Sequence, residues 1–301
     1  MNFVVTGGAG FIGSHLVEYL VKQGNSVKVI DNLQRGNLKN LQSVINNIEF
    51  FNADILNYDQ LKKIIADTDG IFHQAALTSV EESLSNPKKY FATNIDGTKN
   101  ILQIGFDLGI KTVFASSAAV YGNVKKIPIS ENDEKKPINP YGQSKLESEK
   151  IAQKFIEKGS SIVGLRYFNV YGNHQNDNYS GVISKFLNRI TSEKAPIIYG
   201  DGSQIRDFIY VGDIVDANIS AMKNKNSGFF NIGTGIPIRI IDLANEMISI
   251  SGKSLIPNFA KANFNDILYS LASVTFAESI LGWKSKTKLI DWLKKNLWDV
   301  Y

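Results

Sequence analysis

The chain has 301 residues, 43% hydrophobic and 21% charged, the make-up of an ordinary globular protein long enough for two lobes. Its 33 basic and 29 acidic side chains leave a formal charge of +4, too small an excess to mark a nucleic-acid surface, and no apolar run nears the roughly 18 residues of a membrane span. There is no cysteine, and the three histidines (His15, His73, His174) lack ligand spacing, so disulfides, thiolate nucleophiles and a metal site drop out.

The start Phe3-Val4-Val5 is cut off at once by Thr6-Gly7-Gly8, too early for a signal peptide, and a cytoplasmic enzyme fits. Short β-branched runs at Asn2–Thr6, 26–30, 48–52, Gly70–His73, 112–115 and 161–166 read as strands. Between them, helical patterns run over 11–23, Tyr58–Ile65, 87–107 and Pro140–Glu157. This alternation predicts βαβ units, hence an α/β fold with a doubly wound parallel sheet of the Rossmann type. After residue 171 the rhythm changes. Residues 172–181 form a polar Gly/Asn-rich loop, followed by a helix at Val182–Thr191, a strand at Ile197–Tyr199, a turn at Gly200-Asp201-Gly202 and a last helix over 288–297. The expected division is a dinucleotide-binding domain over 1–172 and a smaller, mixed α/β substrate lobe over 173–301. Part of the latter, about 207–235, is free to pack back on the first.

Thr6-Gly7-Gly8-Ala9-Gly10-Phe11-Ile12-Gly13 follows a strand and opens a helix. In that setting Gly7 permits the tight turn, Gly10 lets backbone approach a pyrophosphate, and Gly13 lets helix and strand pack closely. Asp31 ends the next strand near the spacing at which an acid meets the adenine-ribose hydroxyls, and it would repel a 2′-phosphate. NAD is therefore favoured over NADP. Asp54, after the third strand, is a weaker candidate for the adenine edge. Either acid would serve equally as a loop cap.

Tyr141 and Lys145 lie four apart at the start of a helix, so both face one side and the lysine can favour the ionised phenol. Such a pair also occurs on ordinary surface helices. Ser117, near the carboxyl end of the fifth strand, adds a hydroxyl where ligands sit in such sheets, although it would also serve as a strand-end cap. Together the three favour hydride-transfer chemistry.

Thr6–Gly13, His73-Gln74-Ala75-Ala76, Asn94, Ser116–Gly122, Tyr141–Lys145, Arg166–Gly172, Arg206-Asp207-Phe208 and Asn231–Gly235 resemble the extended short-chain dehydrogenase/reductase family across nearly the whole chain. Within it, the chain is most similar to nucleotide-sugar 4-epimerases of the UDP-galactose type. The resemblance implies Tyr141 as base, Lys145 tuning it and binding nicotinamide ribose, and Ser117 orienting the sugar. It places Gly7, Gly10, Phe11, Ile12, Gly13, Asp31, Asn32, Asp54, Ile55, Ala75, Ala76, Asn94 and Phe168 at NAD. It places Asn169 and Arg206 at the diphosphate, with Val182, Asp266 and Ser270 also on the substrate side.

The implied reaction is epimerisation at C4 of a UDP-hexose through a transient 4-keto sugar. Ala118-Ala119 stands where the related dehydratases carry an Asp-Glu pair and the decarboxylases a glutamate, and alanine does no proton chemistry. Those activities, a reductase, and a non-catalytic NAD sensor remain the alternatives. Near the end, Asn263-Phe264-Asn265-Asp266 replaces an Arg-x-Gly-Asp segment of many relatives, which leaves anion binding to Arg206, Arg239 or Lys261. Small Ser270 implies room for N-acetyl sugars. The resemblance also implies a homodimer through the helices over 87–107 and 140–157, the alternative being that their apolar faces pack within one chain.

Overall fold

In a computed structural model, which describes residues 1–175, 181–262 and 267–296, β1 (Asn2–Thr6) is buried from its second residue onward. Its side chains alternate between two cores. Phe3 and Val5 pack with one hydrophobic cluster and Val4 with another, the period-two pattern of a strand covered on both faces. The first half then runs α1 (Phe11–Lys22), β2 (Ser26–Asp31), β3 (Glu49–Asn52), α2 (Tyr58–Ile65), β4 (Gly70–His73), α3 (Val80–Ser85), α4 (Pro87–Phe91), α5 (Gly97–Leu108), β5 (Lys111–Ser117), α6 (Pro140–Glu157) and β6 (Ile162–Tyr167).

The second half has shorter pieces: β7 (Asn169–Tyr171), α7 (Val182–Thr191), β8 (Ile197–Tyr199), β9 (Ile205–Arg206), β10 (Phe208–Tyr210) and α8 (Val211–Lys223). It continues with β11 (Gly228–Ile232), β12 (Ile238–Arg239), α9 (Ile240–Ser251), β13 (Asn258–Ala260), β14 (Tyr269–Ser270), α10 (Thr275–Leu281) and α11 (Leu289–Asn296).

The central sheet has seven strands in the order β11-β6-β5-β4-β1-β2-β3, and every neighbouring pair is parallel. This is the Rossmann-type α/β fold. The winding reverses between β1 and β4, which opens a crevice at the carboxyl ends of the strands. The seventh strand, β11, comes from late in the chain and pairs with β6, while α8 packs on α1. A separate cluster around Phe186, Ile190, Ile198, Leu243 and Met247 holds α7, β8 and α9 together.

The single helical pattern over 87–107 is not one regular helix. It breaks into α4, a wider π-helical turn over Ala92–Asp96, and α5. Such a turn inserts a residue and re-aims side chains. Here Asn94 turns inward, its carbonyl oxygen accepting from Leu77 N (2.8 Å) and its amide donating to Leu77 O and Ser144 Oγ, both at 2.9 Å. Periodicity alone carried no sign of it.

Candidate active site

Gly10 caps α1 without a side-chain hydrogen bond, so the first backbone N–H groups of the helix face the crevice unclaimed by any cap. The glycines around it are sterically required. A Cβ on Gly7, whose φ is +67°, would stand 2.6 Å from Ala75 N, and one on Gly13 would stand 2.1 Å from Gly7 O. The turn is thus a cradle that side chains would fill, as a bound pyrophosphate demands.

From it extends a cleft of about 710 Å³ lined by Gly7, Gly10, Phe11, Ile12, Gly13, Asp31, Asn32, Ile55, Ala75, Ala76, Ser117, Tyr141, Lys145 and Phe168. Asp31 stands at its β2 wall. Its carboxylate accepts from Ala9 N (3.0 Å) and Leu33 N (2.8 Å), and burial raises its pKa against the opposite pull of those two bonds. Asn32 donates to Asp54 at 2.8 Å, and Asp54, expected at the adenine edge, does not itself line the cleft. Asn94 also lies behind the wall, wholly buried. On the rim, Arg35 from the loop after β2 forms an ion pair with Glu82 of α3, and the Tyr90 hydroxyl donates to the same carboxylate at 3.0 Å.

Helix α6 begins where its sequence signals say. Asn139 caps it by accepting from Gly142 N at 2.8 Å, and Pro140 occupies the first turn. Tyr141 and Lys145 therefore share a face directed at the strand ends. Burial raises the pKa of the Tyr141 phenol, while a hydrogen bond with Ser117 lowers it. Lys145 is buried, and its ammonium donates to Ala115 O at 2.9 Å. Burial pulls it down to about 8, with Glu149 pulling upward. The lysine charge is thus spent on a backbone carbonyl, and the expected lowering of the phenol by Lys145 is not what the protein alone produces.

A second cleft of about 620 Å³ continues from the first across Ser117, Tyr167 and Phe168. Asn169, Arg206 and Ser270 line it, together with Ala118 and Ala119 beside Ser117. Val182 instead packs against the small-lobe core, and Asp266 lies outside the described residues. Glu81, Asn139, Lys185 and Tyr199 line this cleft too, although nothing in the sequence reading singled them out.

Two supporting networks were also unforeseen. Glu149, one more step of four along the Tyr141–Lys145 face, pairs with Arg166 through bonds of 2.9 and 2.8 Å and accepts from Ser116 Oγ at 2.5 Å. Arg166 in turn donates to Tyr121, which donates to Asn231. The charge spacing on α6 was the available signal. Asp207 is fully buried and accepts from Thr234 N and Oγ1 (both 2.7 Å), Gly235 N (2.9 Å) and Ala272 N (3.1 Å). It fixes the strands bearing Arg206 and Ser270. Its partners lie 27 to 65 residues away, so no local pattern announces them.

These parts occur together in known proteins. The model of the NAD dependent epimerase/dehydratase family matches residues 3–233. The chain belongs to that family, and its cofactor is NAD. It is 38% identical to a putative UDP-glucose 4-epimerase of Methanocaldococcus jannaschii, over 97% of this chain and 98% of the relative. The crystal structure of the Thermotoga maritima UDP-glucose 4-epimerase with UDP-glucose matches with a TM-score of 0.94 at 36% identity, covering 99% of this chain and 97% of that one. A UDP-N-acetylglucosamine 4-epimerase of Methanobrevibacter ruminantium, in complex with UDP-N-acetylmuramic acid, gives the same score and identity over 98% and 96%. The protein is an enzyme of this nucleotide-sugar epimerase class. Among the described residues, no helix is long and apolar enough to cross a membrane, and no cluster of three potential metal ligands occurs.

Proposed function

We propose that this member of the family interconverts the C4 epimers of UDP-hexoses in the cytoplasm, taking UDP-glucose and UDP-galactose and also their N-acetylamino counterparts. The observation that carries the reading is the junction of the two clefts. Ser117 and Tyr141 stand where dinucleotide and sugar would meet, and the residues after Ser117 that line the second cleft are the inert Ala118 and Ala119.

NAD, held by the glycine turn, Asp31, Ala75, Ala76 and Phe168, supplies a positive charge and a two-electron acceptor that is restored within each turnover. The chain does the rest. Tyr141 takes the proton of the sugar 4-hydroxyl at its phenolic oxygen, and Ser117 orients that hydroxyl through its own hydrogen bond. Lys145 holds the nicotinamide ribose side and adds positive charge near the phenol once ligands displace it from Ala115 O. Arg206 and Asn169 grip the diphosphate, whose oxygens suit a guanidinium. A firm grip there and a loosely held sugar let the 4-keto intermediate present its other face.

Ser270 supports the wider sugar range. It is buried, lines the second cleft, and lies in register with Arg206 through the β14–β9 pairing. Exposed Phe91, Phe106 and Leu108 on α4 and α5 offer apolar surface for a homodimer, which sedimentation velocity would reveal. The decisive experiment is incubation with a panel of UDP- and dTDP-sugars without added cofactor, followed by chromatography. Epimers of the UDP-sugars are the expected products. A 4-keto-6-deoxy sugar would overturn the reading in favour of a dehydratase. Ser270→Tyr should weaken acetamido-sugar turnover about tenfold more than hexose turnover. Equal loss for both would remove Ser270 from the specificity account.

A further inference from the structure

The walls of the second cleft carry opposite charges. Lys185 on α7 and Arg206 on β9 are the cations that line it, and Glu81 is the one carboxylate among its described lining residues. Lys185 belongs to the small-lobe unit whose core includes Phe186 and Ile198. Glu81 comes from a different part of the fold, on α3, which packs on α6. The residues leading into α3, Thr78 and Ser79, line the dinucleotide cleft together with Ser117 and Tyr141. The acid's helix therefore follows directly on residues of the dinucleotide cleft, whereas Lys185 comes from the small-lobe unit.

Glu81 is not held there by a partner. Its neighbour Glu82 takes the ion pair with Arg35 and the bond from Tyr90, whereas the Glu81 carboxylate has neither a hydrogen bond nor a salt bridge among the described residues. Glu81 is exposed and lines the cleft, so its carboxylate is open to a ligand there.

We propose that Glu81 is a specificity-determining residue, which restricts the sugar end of the site to sugars without a carboxylate. The inference rests on the nucleotide-sugar reading above. The diphosphate carries its charge to Lys185 and Arg206, and a neutral hexose can use Glu81 as a hydrogen-bond acceptor for a hydroxyl. A uronate brings a second anion close to Glu81, and like charges at a few ångströms repel even where water reaches them. Discrimination by a placed repulsive group needs no extra contact with the accepted sugar.

The test compares UDP-glucose with UDP-glucuronate, which share nucleotide and ring and differ in CH2OH against carboxylate. Calorimetric titration of the NAD-loaded protein should show UDP-glucuronate bound weaker by about fivefold to tenfold. Glu81→Gln should shrink that ratio several-fold, and Glu81→Lys should bring it to parity or reverse it. Reading the ratio cancels any general loss of nucleotide grip, and NAD content reports on folding. An unchanged ratio in both variants, or a wild-type protein that binds the two ligands equally, overturns the proposal. A protein that binds neither ligand nor UDP overturns the nucleotide-sugar reading itself, and the proposal with it.

Discussion

The dinucleotide cleft and the second cleft share Ser117, Tyr167 and Phe168 but are assembled in different ways. The first is built from short contiguous turns at the ends of β1, β2, β4 and β5, each fixed by its own backbone chemistry. Gly7 has the positive φ of the turn and Gly13 packs on Gly7 itself, although Gly7 also leaves room for Ala75, and Asn139 caps α6 three residues away. The second adds to the runs 117–119 and 167–169 residues from α3, α7, β8, β9 and β14 that are far apart in the chain, with Asp207 and the Arg166–Glu149 pair holding neighbouring strands together. A phosphate cradle is a local structure, whereas a substrate wall is a tertiary one. The first should survive changes that ruin the second.

That contrast can be broken in order of expected effect. Tyr141→Phe removes the proton acceptor at the junction and should lower turnover on the order of 10³-fold while NAD content stays that of the wild type. Unchanged turnover would mean that the first cleft only binds. Glu149→Ala leaves Arg166 buried without its counter-ion and should cost about 3 kcal/mol in urea unfolding. A loss below about 1 kcal/mol would show that the pair does not brace the two clefts. Arg206→Leu should weaken UDP binding tenfold to a hundredfold, or about 1.4 to 2.7 kcal/mol, without releasing NAD. Loss of NAD with UDP would show that the two clefts are not separable.

The smallest effect at neutral pH concerns His73, which is buried between Thr6 Oγ1 (2.7 Å) and Thr98 Oγ1 (2.9 Å) at the end of β4. Burial, aided by the Lys145 charge, lowers its pKa to about 3. The unfolded imidazole takes a proton near 6.5 and the folded one does not. Stability present above pH 6.5 is therefore lost as the pH falls toward 3, by about 1.4 kcal/mol per pH unit. NMR should show the His73 ring neutral throughout pH 8 to 5. A titration in that range would mean that the β4 end is more open to water than the dinucleotide cleft requires.

Most of the central sheet was legible because βαβ units repeat their signals locally: a β-branched run, a turn, then an amphipathic helix. The expected fifth strand was short by two residues at its carboxyl end, since Ser116 and Ser117 lie within β5, where polarity hid them. The seventh strand lay beyond any local rule, because β11 joins the sheet only by pairing with β6, more than sixty residues earlier. At the site, the Tyr141–Lys145 spacing gave the shared face correctly but not the direction of the charge, which Ala115 O claims.

What the residues determined by themselves was the glycine turn, the acid that ends β2 and the tyrosine-lysine face of α6. Each depends on backbone geometry and helix period within a few residues. Only the tertiary structure decided what surrounds the sugar. It brought Glu81 and Lys185 to one cleft, put Ser270 beside Arg206, and turned Asn94 away from the cleft toward Leu77. Those placements follow from non-local packing and from buried polar groups that must find partners wherever the fold brings them.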